Sequence, residues 1–448
     1  MEQLIYNAII FNRGKRFHGH LVIEERRIKS VREGVPTKTQ IELFGENAID
    51  LQGHWLLPGV IDSHVHFREP GLTNKADIYS ESRAAIAGGV TSFLEMPNTR
   101  PQTLTVSEVE KKIKRAKATS LANYAFFIGA SSDNIEELKH ADYSRIPGIK
   151  LFLGSSTGNM CVNDEKVLDE IFSLPNLIAV HCEDEKIITN NTQEIKELYG
   201  NRPIPVAWHP VVRSELACFK STKSAVDRAI RLGTRLHICH ITTDEELVYA
   251  SGHANISTEA CIPHLWFTDE DYDKKGSFIK CNPAIKSRRH RKALREGLTT
   301  TGAIKVVSTD HAPHTFEEKE GDLLTAPSGM PMIQFSLRVM LKLAEEGHLS
   351  VEQVVSLMSH NQADTFGIKD RGYIEEGFYA DLVEIDPQGS NKPIDYNDVI
   401  SKCGWTPLIG ETLPASVERV WVNGTLAYKD RTFSDTSPAM PLSFKNIR

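Results

Sequence analysis

The sequence predicts an α/β protein with a parallel sheet, closed as a barrel or open, and with strand-rich segments at both ends. Three observations carry this prediction. Apolar, β-branched runs with Gly and Asn turns nearby occupy the first 55 residues. Strand-like runs then alternate with charged, helix-like stretches such as residues 107–118, and repeated βα units of this kind indicate a parallel sheet. From about residue 370 the strand pattern returns.

These patterns divide the chain into three zones. Residues 1–55 are expected to form the N-terminal part of a small β domain, beginning with the apolar run 4–11. Residues 56–365 carry the βα units. Residues 366–448 are expected to form the C-terminal part of the small β domain, with strands at 379–385 and 417–424. The two strand-rich ends should therefore pair with each other.

The composition is that of an ordinary globular protein: 448 residues, 40% hydrophobic, 25% charged, with a formal net charge of -7. The mild acidity and the spread of Lys and Arg argue against nucleic acid as a partner, because phosphate binding needs a concentrated basic surface. No secretory signal and no run of about 18 apolar residues is recognised. Seven scattered cysteines, none in a CxxC pair, favour a reducing compartment, so we expect a cytoplasmic protein.

Residues able to bind a metal stand at or near the ends of the strand-like runs. His64 and His66 are two apart on an extended segment, so their imidazoles share a face. Three later runs lead to His181, His240 and Asp310. Taken singly, each has another interpretation, such as a hydrogen-bonded core histidine or a helix N-cap. The joint pattern favours a metal site, and imidazole and carboxylate donors suit Zn²⁺, with Mn²⁺, Co²⁺ or Fe²⁺ as alternatives.

Lys150 lies inside an apolar strand-like run at 149–153. An ammonium facing metal ions there would be unfavourable through both burial and charge repulsion. A neutral amine can react with CO₂ to give a carbamate, an anion whose two oxygens can bridge two metals. The alternative is a surface lysine on an edge strand. A carbamylated Lys150 would imply a two-metal centre.

Several segments together resemble the dihydroorotases. Residues 62–71 (DSHVHFREPG) resemble their HxHxR signature, residues 95–99 (EMPNT) resemble a second motif, and residues 310–314 (DHAPH) resemble a third. The similarity continues at Asn282-Pro283 and at 326–329, while residues 372–383 are typical of the wider amidohydrolase superfamily. The resemblance thus spans nearly the whole chain.

The resemblance implies a (β/α)₈ barrel of the TIM type with a small β-sandwich built from both chain ends. It implies that His64, His66 and Asp310 bind one zinc, that His181 and His240 bind the other, and that carbamylated Lys150 and a hydroxide bridge them. Cys239 beside His240 resembles the two-metal form of the family. A third metal at Cys239 and Glu259 is an alternative to a buried free thiol there.

The reaction implied is reversible closure of N-carbamoyl-L-aspartate to L-dihydroorotate in pyrimidine (UMP) biosynthesis, with Asp310 moving the proton. Arg68 offers a planar fork for the substrate carboxylate. The substrate contacts implied by the resemblance are His66, Phe67, Arg68, Asn98, Asn282, His314, Ser328 and Gly329. Residues 154–160, rich in Gly, Ser and Thr, form either a lid over the site or an ordinary βα loop.

Two other functions stay open. One is a different cyclic amidohydrolase, an allantoinase or dihydropyrimidinase, whose usual substrates have no carboxylate beside the scissile amide; Arg68 and Asn98 argue against it. The other is a non-catalytic partner of aspartate transcarbamoylase. The sequence argues against it, because every metal-ligand position is filled. The partners expected are the small-molecule substrate and a second copy of the chain in a homodimer, with aspartate transcarbamoylase as a candidate and with nucleic acid and membranes excluded.

Overall fold

The computed structural model describes residues 2–154, 160–299 and 302–445. The N-terminal part of the chain is mainly strand. Its elements are β1 (Glu2–Asn12), β2 (Lys15–Glu24), β3 (Arg27–Glu33), α1 (Lys38–Phe44), β4 (Ala48–Asp50) and β5 (Trp55–Pro58).

The middle of the chain alternates strands with helices. Its elements are β6 (Val60–Val65), α2 (Ile78–Ala87), β7 (Val90–Glu95), α3 (Val106–Thr119), β8 (Asn123–Phe126), β9 (Ile128–Gly129), α4 (Ile135–His140), β10 (Ile149–Phe152), α5 (Glu165–Phe172), β11 (Ile178–His181), α6 (Glu185–Tyr199), α7 (His209–Val212), α8 (Glu215–Leu232), β12 (Leu236–Ile238), α9 (Asp244–Ala250), β13 (Ile256–Cys261), α10 (Ile262–Trp266), α11 (Tyr272–Lys275), α12 (Arg288–Gly297), β14 (Val306–Ser308), α13 (Phe316–Lys319), α14 (Ser336–Glu345), α15 (Val351–Val355) and α16 (Asn361–Phe366).

The last part returns to strands. These are β15 (Leu382–Asp386), β16 (Ser416–Val422), β17 (Thr425–Lys429) and β18 (Thr432–Phe433). No helix within the described ranges has both the length and the apolar character needed to cross a bilayer.

The middle strands form a closed parallel barrel. β6, β7 and β8 pair in one run, and β9 to β14 pair in a second. Only Phe127 separates β8 from β9, so these two segments share one strand position, and a parallel bridge from Val65 to His311 joins β6 to the end of β14. The described strands thus fill eight positions. Every residue of β6, β7, β10, β11 and β12 is buried, as expected for strands covered on both faces.

Both ends of the chain build one nine-stranded sheet. Its order is β18-β17-β16-β15-β5-β1-β2-β3, with β4 paired to β1. β5 lies between an N-terminal and a C-terminal strand, and only Gly59 separates it from the first barrel strand. The predicted fold class, an α/β barrel with a small β domain built from both ends, is confirmed. Of the two arrangements left open by the sequence, the parallel sheet adopts the closed barrel.

Candidate metal centre and substrate pocket

A small polar pocket lies at the carboxyl ends of the barrel strands. His64 belongs to β6, Lys150 to β10 and His181 to the end of β11, while His240 and Asp310 follow β12 and β14 by two residues. The lining residues are His64, His66, Arg68, Asn98, Lys150, Phe152, His181, His240, Asn282, Asp310, Ala312, Ser328 and Gly329. All the predicted site residues except Phe67 and His314 therefore meet in one pocket, although they are up to 265 positions apart along the chain (329 minus 64).

His64, His66 and Asp310 form one donor group. The Oδ1 atom of Asp310 lies 3.1 Å from His66 Nε2 and 3.5 Å from His64 Nε2. Burial raises the pKa of Asp310, but the two neighbouring imidazoles outweigh that effect and hold it below its ordinary value. Burial also lowers the pKa of His66 to about 4, which leaves that imidazole neutral near pH 7. A carboxylate and a neutral imidazole are the forms in which these side chains bind metals.

The far nitrogen of each imidazole is held by a hydrogen bond. His64 Nδ1 lies 2.8 Å from Glu259 Oε1, and His66 Nδ1 lies 2.7 Å from Asn98 Oδ1. An acceptor at Nδ1 holds a proton there, so Nε2, which faces Asp310, is the nitrogen available to a metal. Metal-binding histidines are characteristically oriented in this way.

His181, His240 and Lys150 form the other side of the pocket. His181 Nδ1 lies 3.0 Å from His240 Nε2, and burial lowers the pKa of both imidazoles. The Lys150 ammonium is fully buried and donates to Cys239 Sγ at 3.0 Å. Among the described residues no carboxylate forms an ion pair with Lys150. The two imidazoles and this lysine thus converge on the pocket without an anion to balance a charged amine.

The donor set fits a divalent cation. Burial by itself would lower the pKa of His64, yet the carboxylates of Glu259 and Asp310 raise it to about 10. The site therefore favours a positive charge beside His64, and a bound cation supplies that charge as well as a proton does. His64, Cys239 and Glu259 also bring three donor atoms within 4.8 Å of one another. This group includes the two residues considered above for a third metal.

The backbone is left-handed at three pocket residues that are not glycine. The φ angles are 66° at Arg68, 38° at His240 and 48° at Asp310. Residues other than glycine adopt this conformation rarely and at a cost, and they do so mainly at functional sites. The strain marks the points where the chain turns sharply at the end of a strand and aims a side chain into the pocket.

Arg68 is a buried guanidinium in the pocket wall. Its side chain donates from Nε to Pro313 O at 2.9 Å, and its Nη2 lies 3.0 Å from His314 Nε2. Within the described ranges no carboxylate forms an ion pair with Arg68. Burial lowers the pKa of Arg68 to about 10, so the group remains a cation near pH 7. A buried cation without an anion is costly, and a bound anion would relieve that cost.

Two predicted substrate contacts lie elsewhere. The Phe67 side chain is a core residue, with its ring 4.4 Å from that of Phe93, because alternation along the segment points it away from its neighbours His66 and Arg68. The contact predicted at Phe67 therefore does not involve its side chain in this structure, and it stays a prediction. His314 does not line the pocket but lies behind Arg68, so in this structure it contacts Arg68 rather than the space for a substrate.

The loop around Gly329 supplies space rather than a free N–H. The Gly329 N–H already donates to Lys280 O at 2.8 Å, so the substrate contact predicted at Gly329, which stays a prediction, would not use this N–H. With φ at 130°, a Cβ at this position would stand 2.5 Å from Ala312 O, which explains the glycine. The Ser328 carbonyl accepts from His314 Nε2 at 3.0 Å. Asn282 Oδ1 is a buried acceptor with no partner in the described structure, as expected of a group that awaits a ligand.

Sequence reasoning missed some residues that line the pocket or lie directly behind it. Glu259 was considered only for a third metal, although an acidic residue inside an apolar strand was the same signal that singled out Lys150. Phe152 and Ala312 line the pocket beside predicted residues, but apolar side chains at strand ends give no signal of their own. The loop at 154–160, considered as a lid, falls largely outside the described residues.

Known proteins share this sequence pattern and fold. A model of the amidohydrolase family matches residues 55–427. The chain belongs to the amidohydrolase family. The dihydroorotase of Halobacterium salinarum is 34% identical over 428 residues, which are 92% of this chain and 96% of that protein. The dihydroorotase of Methanosarcina acetivorans is 34% identical over 378 residues, 81% of this chain and 79% of that protein.

Solved structures agree with the fold of this amidohydrolase. The L-hydantoinase (dihydropyrimidinase) of Arthrobacter aurescens superposes with a TM-score of 0.92 at 23% identity and covers 99% of this chain and 100% of its own. The dihydropyrimidinase of Brevibacillus agri gives 0.88 at 21% identity and covers 99% of each chain. These likenesses show the fold. With the sequence relatives, they make the protein a cyclic amidohydrolase enzyme of a family that typically depends on metals.

Proposed function

We propose that this amidohydrolase is a dihydroorotase, which interconverts N-carbamoyl-L-aspartate and L-dihydroorotate in pyrimidine biosynthesis. Its sequence relatives that carry this name are about one-third identical over most of the chain. The hydantoinase and dihydropyrimidinase structures share the fold at lower identity and do not argue for a substrate. The choice of substrate depends on the pocket.

The buried Arg68 is the observation that carries the proposal. It lies in the same pocket as the metal donors and has no carboxylate partner among the described residues. Dihydroorotate carries a carboxylate next to the ring amide, whereas dihydropyrimidine and allantoin do not. A planar guanidinium can bind such a carboxylate through two parallel hydrogen bonds. A pocket built for a neutral ring would gain nothing from an unpaired buried cation.

The proposed metals are two Zn²⁺, one of which would be held by His64, His66 and Asp310 and the other by His181 and His240, with Lys150, as a carbamate formed from CO₂, supplying an anionic ligand. When bound, such ions supply Lewis acidity toward the amide carbonyl and make the attacking water more acidic.

Asp310 is the proposed carrier of the proton. Its carboxylate is held ionised by His64 and His66, so it can accept a proton from the attacking water during ring opening and pass it to the leaving amide nitrogen. In ring closure the same proton moves in the opposite direction. The open substrate has two carboxylates and the ring has one, so closure consumes a proton and acid favours the ring.

The two asparagines are suited to orient the substrate. Asn98 uses its Oδ1 to accept from His66, which leaves its NH₂ group free to donate to the substrate carboxylate. Asn282 offers the opposite polarity, since its buried Oδ1 can accept a ring N–H. Together with Arg68 these groups distinguish the carboxylate side of the substrate from its amide side.

Four further features belong to the proposal. We propose residues 1–55 and 366–448 as the two parts of the small β domain, with residues 56–365 as the barrel.

Seven free cysteines support a reducing compartment, and we place the enzyme in the cytoplasm. Assembly as a homodimer and association with aspartate transcarbamoylase rest on the family resemblance alone.

The test is the kinetics of Arg68→Met in metal-loaded protein. Loss of the buried clamp should lower kcat/KM for ring opening of L-dihydroorotate by at least about 100-fold. Arg235→Met is the matched control, because Arg235 is a partly buried arginine that donates to the Thr365 carbonyl and lies before β12 at the other end of the barrel. A loss in Arg68→Met no larger than in the control would contradict the proposed clamp.

A further inference from the structure

His314 is a buried imidazole between two cations. Its Nδ1 faces Lys75 Nζ at 3.0 Å. Its Nε2 faces both Arg68 Nη2 and Ser328 O, each at 3.0 Å. Burial and the charges of Arg68 and Lys75 hold the pKa of His314 far below its ordinary value. The ring is therefore neutral and has a single N–H and a single lone pair.

The contacts of His314 admit only one consistent placement of its proton. A lysine ammonium has donors and no acceptor, and Lys75 pairs with Glu318 Oε1 at 3.0 Å. Nδ1 must then accept from Lys75, so the proton lies on Nε2 and is donated to the Ser328 carbonyl. With the proton there, Nε2 cannot accept from Arg68 Nη2, and that guanidinium N–H needs an acceptor from elsewhere.

Without Lys75, the other tautomer would give Arg68 a hydrogen-bond acceptor within the protein. Glu318 Oε2 lies 3.6 Å from His314 Nδ1 and could accept a proton placed there. Nε2 would then accept from Arg68 Nη2, and the clamp would be internally paired. Lys75 occupies the position that prevents this arrangement.

We infer that Lys75 is a positioning residue that fixes the Nε2–H tautomer of His314, so that the Nη2 N–H of Arg68 finds no acceptor in His314 and stays available to the substrate carboxylate. The inference rests on the proposed function for the identity of the anion. It explains why a lysine and a histidine lie behind an arginine that already carries the charge. Lys75 contributes to substrate binding without touching the substrate.

The tautomer of His314 can be measured directly in full-length, metal-loaded protein. Histidine labelled with ¹⁵N gives distinct NMR shifts for protonated and unprotonated ring nitrogens, and His314→Asn assigns the signal. The wild type should show a protonated Nε2, and Lys75→Met should move the proton to Nδ1. Lys75→Arg, which restores a donor, should return the wild-type pattern. Lys342→Met, which removes a lysine paired with Glu345 on helix α14, should change nothing.

Kinetics supply the second measurement. Lys75→Met should raise KM for L-dihydroorotate roughly tenfold to a hundredfold, as expected for the loss of a hydrogen bond to a charged group, with kcat within about threefold. In a His314→Asn background the same substitution should have no further effect, because Lys75 acts through His314.

A protonated Nδ1 in the wild type, or an unchanged tautomer in Lys75→Met, would overturn the inference. Because the wild-type spectrum needs no substitution, an unstable variant would not leave the inference untested. Failure of the proposed function is separate, since it would show as wild-type protein that opens a neutral ring and not dihydroorotate, whatever the tautomer of His314.

Discussion

The hydrogen bonds that orient His64 and His66 direct their Nε2 atoms toward the proposed metal position. His64 and His66 are each fixed from behind, one by the Glu259 carboxylate and the other by the Asn98 amide oxygen. Asn98 thereby has two roles, because the bond that orients His66 also decides which end of its own amide faces the substrate. Two residues of the predicted metal and carboxylate sites are thus physically coupled.

Glu259→Gln should weaken metal binding. The substitution keeps the shape of the side chain and removes the charge that strengthens His64 as a ligand, so the affinity for Zn²⁺ should fall about 10- to 100-fold. Titration against a competing chelator measures the change. Glu384→Gln is the control, since Glu384 is an equally buried carboxylate that bonds His54 at 2.8 Å in the small β domain. Equal affinities in wild type and Glu259→Gln would contradict this role.

At the scale of elements, a buried ion pair fastens α3 to the strand ends beside the pocket. Glu95, the last residue of β7, lies 2.5 Å from Lys112 Nζ of α3. Its other oxygen accepts the Phe67 N–H at 3.1 Å, directly before Arg68. Both charged side chains are buried, so either would be left uncompensated without the other. The pair therefore stabilises the segment that carries Arg68.

Removing one partner of this ion pair leaves the other charge buried and uncompensated, so the double variant should lose less stability than the two single variants together. Glu95→Gln and Lys112→Met should each lower the free energy of unfolding by about 3–5 kcal/mol, and the double variant by less than the sum. Urea unfolding of metal-free protein provides the measurement. Lys139→Met, which breaks the exposed pair with Glu136, should change stability by no more than about 0.5 kcal/mol. Strict additivity of the two buried substitutions would refute the coupling.

For the molecule as a whole, the sequence predicts the features that depend on local pattern. The alternation of strands and helices, the strand-rich ends and the donors at strand ends all follow from the period of apolar residues. The metal donors are predicted from this pattern, since each lies in or just after a strand-like run, whereas Arg68 is predicted from the resemblance of residues 62–71 to the dihydroorotases. The burial of the Phe67 side chain also follows from alternation, which places it opposite its two neighbours.

The features that the pattern does not predict are pairings between distant segments. Closure of the barrel depends on Val65 meeting His311, and nothing local to either residue specifies the other. The small β domain is likewise fixed by long-range contacts. The buried Asp381, for example, accepts from Asn123 Nδ2 at 3.2 Å and from the Asn423 N–H at 2.8 Å, and it pairs with Arg371. Period and propensity describe one element at a time, whereas such contacts need the positions of several.

The most direct test of the central claim is the substrate preference of the wild-type enzyme. Purified, metal-loaded protein would be assayed for ring opening of L-dihydroorotate, dihydropyrimidine and allantoin under the same conditions. An enzyme with a buried carboxylate clamp should open L-dihydroorotate and leave the two neutral rings essentially untouched. Preferential opening of a neutral ring would leave the fold and the metal donors standing and would contradict the proposed dihydroorotase function.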